Sequence, residues 1–413
     1  MLKFFDVFCL GLNCIIGSGI FIFPGTLAAL AGPASILAFA VCAALLALVA
    51  LCYAELGGMF PGNGGSALYA REAFGLEAGF GVGFMAWAAA VLSWAAVAAA
   101  VPAQLAYFLP IFRLPLPTKL AAAACLGFFG LLNARGARPG ARTVNALTVA
   151  KIVPLALFVL GGLSAVRASE FHPMYSGEHR FGYAIFLALW TLTGFEVAPV
   201  PAAESENPQR DVPRAVLYSL GSAAVFYMMI QAVAVGAYPQ LARSGERPLA
   251  EAAGYAFGPW GARLLAAGGL LSMIGFVAGA ALGEPRYLSA MGEHSFRRLR
   301  LDEIHPVWRT PARSIAATSA AATMLVLAFD MTRLIDLSNL AIVSQYVSTC
   351  VALAVLRVRR PAAARPFRVP AGPAVAAAGV AVSLWLATQV SAQEAAVSAA
   401  ILAFGYAGRK LFS

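Results

Sequence analysis

Long apolar stretches, separated by short segments rich in glycine, proline and charged residues, form the dominant pattern of this chain. A helix needs roughly 20 apolar residues to cross a bilayer, and a barrel strand needs about half as many in alternation with polar ones. The stretch 34–54 is apolar without alternation, which predicts helical spans. Twelve spans are predicted, at about residues 5–30, 34–56, 79–109, 118–133, 143–166, 181–202, 215–238, 262–289, 313–330, 334–356, 372–390 and 395–409.

The composition supports an integral membrane protein. Of the 413 residues, 61% are hydrophobic and 12% are charged, and a soluble domain has about twice that share of charge. Such a chain has too few polar side chains to cover a water-facing surface, which excludes a soluble enzyme, a disordered chain and a coiled coil. The six cysteines lie in apolar stretches without metal-ligand spacing, and no zinc-protease, serine-hydrolase or Walker-type motif occurs. We therefore predict no enzyme activity, catalytic residue, metal or cofactor.

The distribution of basic residues gives the expected orientation and explains the net charge of +10. With the N-terminus in the cytoplasm, most of the 29 lysine and arginine residues fall in cytoplasmic segments, as the positive-inside rule requires. Basic loops on that side interact with anionic lipid and need no nucleic acid. We expect a multi-pass protein of a bacterial-type inner membrane, with the lipid bilayer as a partner, both termini cytoplasmic and no nucleic-acid binding.

Glycine and polar residues interrupt the first and sixth predicted spans near their middles. In the first, Gly17 and Gly19 flank Ser18, and each glycine costs a helix up to about 1 kcal/mol relative to alanine. Close packing of small residues is one explanation. The sixth span, however, contains a similar polar segment with a glycine at 190–194. Two interrupted spans at matching positions in two halves indicate a transporter binding site, because unwound backbone in a membrane is tolerated where it lines a cavity.

The predicted site offers groups for both ends of an amino acid. N–H groups at the start of the outer half-helix suit a carboxylate because of the helix dipole, and free carbonyl groups suit an ammonium group. The N–H donors are expected around Ser18, Gly19 and Ile20, and the carbonyl acceptors around Ile16 and at Trp190, Thr191 and Thr193. Gly17 and Phe195 complete the predicted substrate-binding residues, with Phe195 in the cavity wall. The combination predicts a zwitterionic amino acid as the substrate.

Two ionisable residues inside predicted spans are candidate groups for proton coupling. Lys151 is about two turns into the fifth span. Its side chain either extends to the cytoplasmic interface or stays partly desolvated and changes its protonation during transport. Glu196 lies at the break in the sixth span, where it either ties the helix segments together or exchanges a proton.

Five motifs in order make the chain resemble the amino acid–polyamine–organocation (APC) transporter superfamily. They are residues 16–21, Ala54–Leu56 with Pro61, Gly64 and Gly65, and residues 204–213, 285–292 and 365–370. The resemblance covers essentially the whole chain and implies one all-α domain, 1–413, with alternating access and amino-acid-like substrates. It implies a five-plus-five inverted repeat of the LeuT type with discontinuous helices 1 and 6. The first repeat would span about 1–166, the second about 181–357, and two extra helices about 372–409.

The resemblance also implies roles for individual residues. Trp190 would close over bound substrate, and Lys151 would occupy the place where sodium-coupled relatives bind an ion between spans one and eight. Ser272 is the one hydroxyl residue of the eighth span between Arg263 and Leu282, so sodium coupling is not expected. Similar transporters with this lysine include proton symporters and exchangers, so both modes stay open.

The expected function is secondary active transport that is independent of sodium, coupled to protons and selective for neutral amino acids. That preference rests on Glu196 as the one candidate anion at the breaks and on small residues in the third span, where Trp87 and Trp94 could line the space. One alternative is an exchanger of basic amino acids or polyamines of the arginine and agmatine type, which aromatic rings and carbonyl groups can recognise. Another is a receptor or light subunit with the same fold. The oligomeric state is not predicted.

Overall fold

The computed structural model of the protein describes residues 2–136, 141–176, 180–245, 247–389 and 391–412. Within these ranges the regular secondary structure is helical, apart from one isolated bridge between Leu2 and Ser205. The α-helices are α1 Phe4–Ile15, α2 Gly19–Ala31, α3 Ser35–Met59, α4 Ser66–Phe74, α5 Leu76–Leu105, α6 Pro115–Ala134, α7 Ala141–Gly162, α8 Phe181–Leu192, α9 Pro208–Ala237, α10 Pro248–Phe257, α11 Pro259–Ser295, α12 Ala312–Ala328, α13 Met331–Arg359, α14 Gly372–Ala387 and α15 Ala392–Phe412.

Every one of the twelve predicted apolar stretches overlaps an α-helix. Within the described part of the chain, seven segments are long and apolar enough to cross a membrane, or up to eight if α14 and α15 count as one. Helices α1 and α8 have 12 residues each and α12 has 17, which is short of the roughly 20 residues that span a bilayer. The count of twelve spans therefore stays a prediction. Residue 390, where the eleventh predicted stretch ends, lies outside the described residues, as do residues 1 and 413.

The first predicted span is two helices. Helix α1 ends at Ile15, the chain leaves the helix over residues 16–18, and α2 begins at Gly19. The N–H group of Gly17 bonds to the carbonyl of Ile15 at 2.8 Å, two residues back rather than four. The regular hydrogen-bond ladder is therefore interrupted where the two glycines weaken the helix.

The sixth predicted span breaks in a different way. Helix α8 ends at Leu192, and the chain continues through 3₁₀ turns at Phe195–Val197 and Ala202–Glu204. The expected discontinuity is present, but short turns follow it instead of a second α-helical half. Gly194 has a φ of +125°, a backbone conformation that side chains with a Cβ rarely adopt.

The helices pack in two groups with the breaks between them. One group comprises α1, α2, α3, α8 and α9, with its largest interface between α3 and α9. The other comprises α5, α6, α11, α12 and α13, in which α5 packs along both α11 and α13. Helix α7 contacts α1 and α9 on one side and α11 on the other. Lys151, which lies on α7, is therefore placed where the two groups meet.

Candidate substrate site

The two helix breaks touch each other. A Cβ atom added to Gly194 would lie 2.6 Å from the carbonyl carbon of Cys14 and from the nitrogen of Ile15. A Cβ added to Gly19 would lie 2.7 Å from Cγ2 of Thr191. The sequence places Gly19 among the predicted N–H donors for a substrate carboxylate. In the structure, the space beside Gly19 is filled by Thr191, so contact between α2 and α8 already requires a glycine.

Side chains from three distant helices hold the carbonyl groups of the first break. Lys151 Nζ donates to the carbonyls of Asn13 at 3.0 Å and Ile16 at 2.7 Å, and the lysine is 1% exposed. Ser272 on α11 donates to Gly17 at 3.0 Å and more weakly to Ile16 at 3.4 Å. Tyr227 on α9 donates to the carbonyl of Ile15 at 2.9 Å. Lys151 therefore does not extend to the interface.

Several carbonyl groups that we expected to be free are already hydrogen-bonded. The Ile16 carbonyl accepts from Lys151. The hydroxyl of Thr193 donates to the carbonyl of Trp190 at 2.9 Å, and that of Thr191 donates back to Ala188 at 2.7 Å. Serine and threonine side chains bond in this way to carbonyls three or four residues earlier. The expected ammonium acceptors at Ile16 and Trp190 are thus shared with the protein's own donors.

Glu196 ties the second break together. Its Oε2 atom accepts a hydrogen bond from the N–H group of Gly194 at 2.9 Å and another from the hydroxyl of Tyr346 at 3.2 Å. Phe195 next to it is fully buried and stacks on the ring of Tyr346, with centroids 5.6 Å apart. Tyr346 lies on α13, so this carboxylate and its neighbour connect the broken sixth span to the second group of helices.

A cavity of about 480 Å³ lies against both breaks and is large enough for an amino acid. Six of the predicted residues line it: Gly17, Ser18, Gly19, Trp190, Thr193 and Glu196. Five others lie behind its wall: Ile16, Ile20, Thr191, Phe195 and Lys151. The opposite wall belongs to α5 and α11, where small residues such as Ala89 and Gly279 leave the space open.

The two tryptophans of the third span do not line the cavity. The indole N–H group of Trp94 donates to the carbonyl of Val277 at 3.0 Å, and that of Trp87 donates to Thr318 at 3.1 Å. Both rings are thereby held against neighbouring helices, because a buried indole N–H group needs a hydrogen-bond acceptor. Trp190 does face the cavity and packs edge-on against Phe23 of α2, with centroids 5.7 Å apart. This aromatic pair joins the two broken spans beside the cavity.

Three residues that line the cavity have buried polar atoms without a hydrogen-bond partner among the described residues. These atoms are Oδ1 of Asn13, Oγ of Ser18 and Oε2 of Glu284. The first turn of α2 adds the N–H groups of Gly19 and Ile20, which have no acceptor within the helix. Because buried polar atoms are normally satisfied, this set has the character of a polar ligand site.

The cavity is lined by more acidic residues than we expected from the sequence. Glu196 is joined by Glu284 of α11 and by Glu204 of the second 3₁₀ turn, and the one basic side chain among the described lining residues is Arg286. Glu196 was predicted as the one candidate anion at the breaks, and the two additional acids come from α11 and from the 3₁₀ turn that follows the second break. Lys151 was identified because an ionisable residue inside a membrane span is a candidate functional group. Glu284 is an acid inside an apolar stretch, so the same rule applies to it. Its neighbours 285–292 form one of the five motifs that carry the family resemblance, at the end of the eighth predicted span. In the structure, α11 continues past that end to Ser295.

Comparison with known proteins identifies the relatives of this chain. The sequence pattern of the family described as "Amino acid permease" matches residues 2–406. The methylthioribose transporter of Bacillus subtilis (strain 168) is 25% identical over 400 residues, which cover 93% of this chain and 87% of that protein. The branched-chain amino acid permease BcaP of the same organism is 26% identical over 400 residues, covering 92% and 86%. The vacuolar cationic amino acid transporter 4 of Arabidopsis thaliana is 26% identical over 378 residues, covering 85% and 62%.

Proposed function

Because the chain belongs to the amino acid permease family, we propose that it is a secondary active transporter of amino acids that works by alternating access without sodium. Membership of this family makes it a multi-pass membrane protein of amino acid transport. The observation that carries the proposal is the cavity that lies against both helix breaks and contains polar atoms without a hydrogen-bond partner among the described residues. The substrate carboxylate binds at the N–H group of Gly19 and at Ser18 Oγ, where the α2 dipole favours negative charge. The ammonium group binds nearby, at Asn13 Oδ1.

Sodium independence is supported by the position of the Lys151 ammonium group. It lies beside the first break, and the Ile16 carbonyl that accepts from it also accepts from Ser272 of α11. A sodium ion there would need several oxygen ligands, and the protonated Lys151 side chain in the same place repels it. Protonation changes at Lys151 and Glu196 couple the cycle to protons, because each lies against one of the two breaks and hydrogen-bonds to its backbone.

Movement between two groups of helices gives the alternating access. The packing of α1, α2, α3, α8 and α9 apart from α5, α6, α11, α12 and α13 supports rocking of the first group against the second. The proposal includes twelve spans, an inverted repeat and both termini in the cytoplasm at a bacterial inner membrane. In this orientation Phe23 and Trp190 close the outer side of the cavity, while the exposed Glu204 and Arg286 mark its cytoplasmic side.

The side-chain preference has two candidates. The small residues of α5 favour neutral amino acids, as proposed from the sequence. The second candidate is an exchanger of basic amino acids, and the specific observation in its favour is that three carboxylates line the cavity. The relatives do not decide between the two, because their names cover a branched-chain permease and a cationic amino acid transporter.

Uptake into proteoliposomes tests the function. A labelled amino acid panel is offered to empty vesicles under an inward proton gradient, and then to vesicles preloaded with unlabelled amino acid and without a gradient. Accumulation in empty vesicles, unchanged when choline replaces sodium, is the expected result. Uptake into preloaded vesicles alone would mean obligatory exchange. Binding without flux in either condition would contradict transport and favour a receptor.

A further inference from the structure

Glu284 lines the cavity but has no part in the binding of the substrate backbone or in the two helix breaks. We propose that Glu284 and the glycine-containing face of α11 form a subsite for a positively charged group on the substrate side chain, a guanidinium or an ammonium. This inference rests on the proposed transport function and names the substrate class that the cavity takes. It favours basic over neutral amino acids.

The first argument is that the Glu284 carboxyl group is buried but unpaired. Glu284 is 7% exposed, and its Oε2 atom has no hydrogen-bond partner within the described ranges. Ionising a buried carboxyl group that has no partner costs several kcal/mol. A ligand that brings a cation to this atom removes that cost, which makes the pairing a source of binding energy and of selectivity.

The second argument is the empty space next to the carboxyl group. A Cβ atom added to Gly279 or Gly283 would meet nothing within 4 Å, and both glycines line the cavity. Phe276 and Tyr287 line it from the same helix, and their spacing from Glu284 places all three on one face. An aromatic ring within about 6 Å of a cation stabilises it. The α11 face thus combines a carboxylate, open volume and aromatic rings.

The third argument is that the charges around the subsite leave Glu284 available to a ligand. Glu196 and Glu284 both act electrostatically on Cys14 and on Tyr287, so the two carboxyl groups belong to one neighbourhood. Glu196 already accepts two hydrogen bonds from the protein. Lys151 Nζ is directed at the backbone of the first break. Arg286 is exposed and follows Glu284 by two residues, which places the two side chains on different faces of α11.

Arginine and citrulline provide a matched test. They have nearly the same shape, but citrulline has a neutral urea group in place of the guanidinium. A charge-assisted hydrogen bond between the guanidinium and Glu284 is consistent with a preference for arginine over citrulline of about tenfold to 100-fold. We expect the wild-type protein in detergent to bind arginine more tightly than citrulline by that factor. Glu284→Gln should reduce the arginine-to-citrulline ratio to near one while leaving citrulline binding in place.

Two further variants provide the controls. Glu303→Gln makes the same chemical change at an exposed carboxylate that pairs with Arg313 at 3.4 Å, and the ratio should not change. If Glu284→Gln does not fold, as judged by its melting curve, Gly283→Ala tests the subsite through its volume instead, because it adds a methyl group to the open space. Gly283→Ala should weaken arginine binding severalfold and leave alanine binding unchanged.

Each outcome has a definite meaning. A wild-type ratio near one, or an undiminished ratio in Glu284→Gln together with undiminished arginine binding in Gly283→Ala, overturns the subsite while amino acid transport stands. Loss of pH-dependent uptake in Glu284→Gln with an unchanged ratio overturns it in favour of a proton site. Failure of every amino acid to bind would contradict the proposed function itself, which makes the two failures distinguishable.

Discussion

The two helix breaks lie in contact but are maintained by opposite means. The first is held from outside, by Lys151, Ser272 and Tyr227, which are far from it in sequence. The second is held mainly from within, by the positive φ of Gly194 and by the carboxylate of Glu196 two residues later. The first break can therefore respond to movement of other helices, whereas the shape of the second is largely set by its own sequence.

The largest effect should come from removing the external support of the first break. Lys151→Ala leaves the carbonyls of Asn13 and Ile16 without their buried donor, and each charge-assisted bond contributes about 1.5–3 kcal/mol. We expect gradient-driven uptake to be abolished while the protein stays folded. Lys119→Ala is the matched control, because Lys119 also donates to a carbonyl, that of Leu327, but is exposed. Accumulation at the wild-type level in the Lys151 variant would contradict the role of the lysine.

Next in size is a backbone change in the second break. In Gly194→Ala the added methyl group meets Cys14 and Ile15 at 2.6 Å, at a φ of +125°. Strain and overpacking each cost about 1–3 kcal/mol, so the thermal midpoint and substrate binding should both fall. Gly221→Ala on α9, where a Cβ meets nothing within 4 Å, should keep both. Equal melting curves for the two variants would show that the breaks do not touch as described.

A smaller effect is expected from neutralising the internal support. Glu196→Gln keeps one oxygen acceptor but loses the charge, which lowers the strength of the bonds to Gly194 and Tyr346. We expect slower uptake and a flatter pH profile, because glutamine does not titrate. Tyr346→Phe removes one of these bonds and leaves the carboxylate, so its pH profile should keep the wild-type shape. A pH profile that is unchanged in Glu196→Gln would assign the residue a purely structural role.

The smallest effect should come from Ser272→Ala. The first break loses a neutral hydrogen bond to Gly17, which contributes about 0.5–1.5 kcal/mol, while Lys151 still holds the Ile16 carbonyl. Uptake should fall by less than about tenfold and stay independent of sodium. A loss as complete as that of Lys151→Ala would mean that the serine, rather than the lysine, is the main support of the first break.

Much of the fold of this protein could be predicted from local sequence. Apolar runs too long for a soluble domain require membrane helices, and Gly17, Gly19 and Gly194 weaken or bend a helix wherever they occur. For that reason the helical class and both breaks were predictable, and the family followed from the resemblance of five motifs. The hydrogen bond that Glu196 accepts from the unwound backbone was also predictable, because the carboxylate is two residues from its donor, the N–H group of Gly194.

Only the tertiary structure decided which side chains face the cavity. Phe195 and Trp94 lie in the expected segments but turn toward other helices, since rotation about a helix axis is set by packing partners that are distant in sequence. The Ile16 carbonyl looked free until α7 brought Lys151 to it. Glu284 lines the cavity because α11 continues past it and packs along α5. Sequence determined where the helices break, and packing determined which charges surround the cavity that the breaks create.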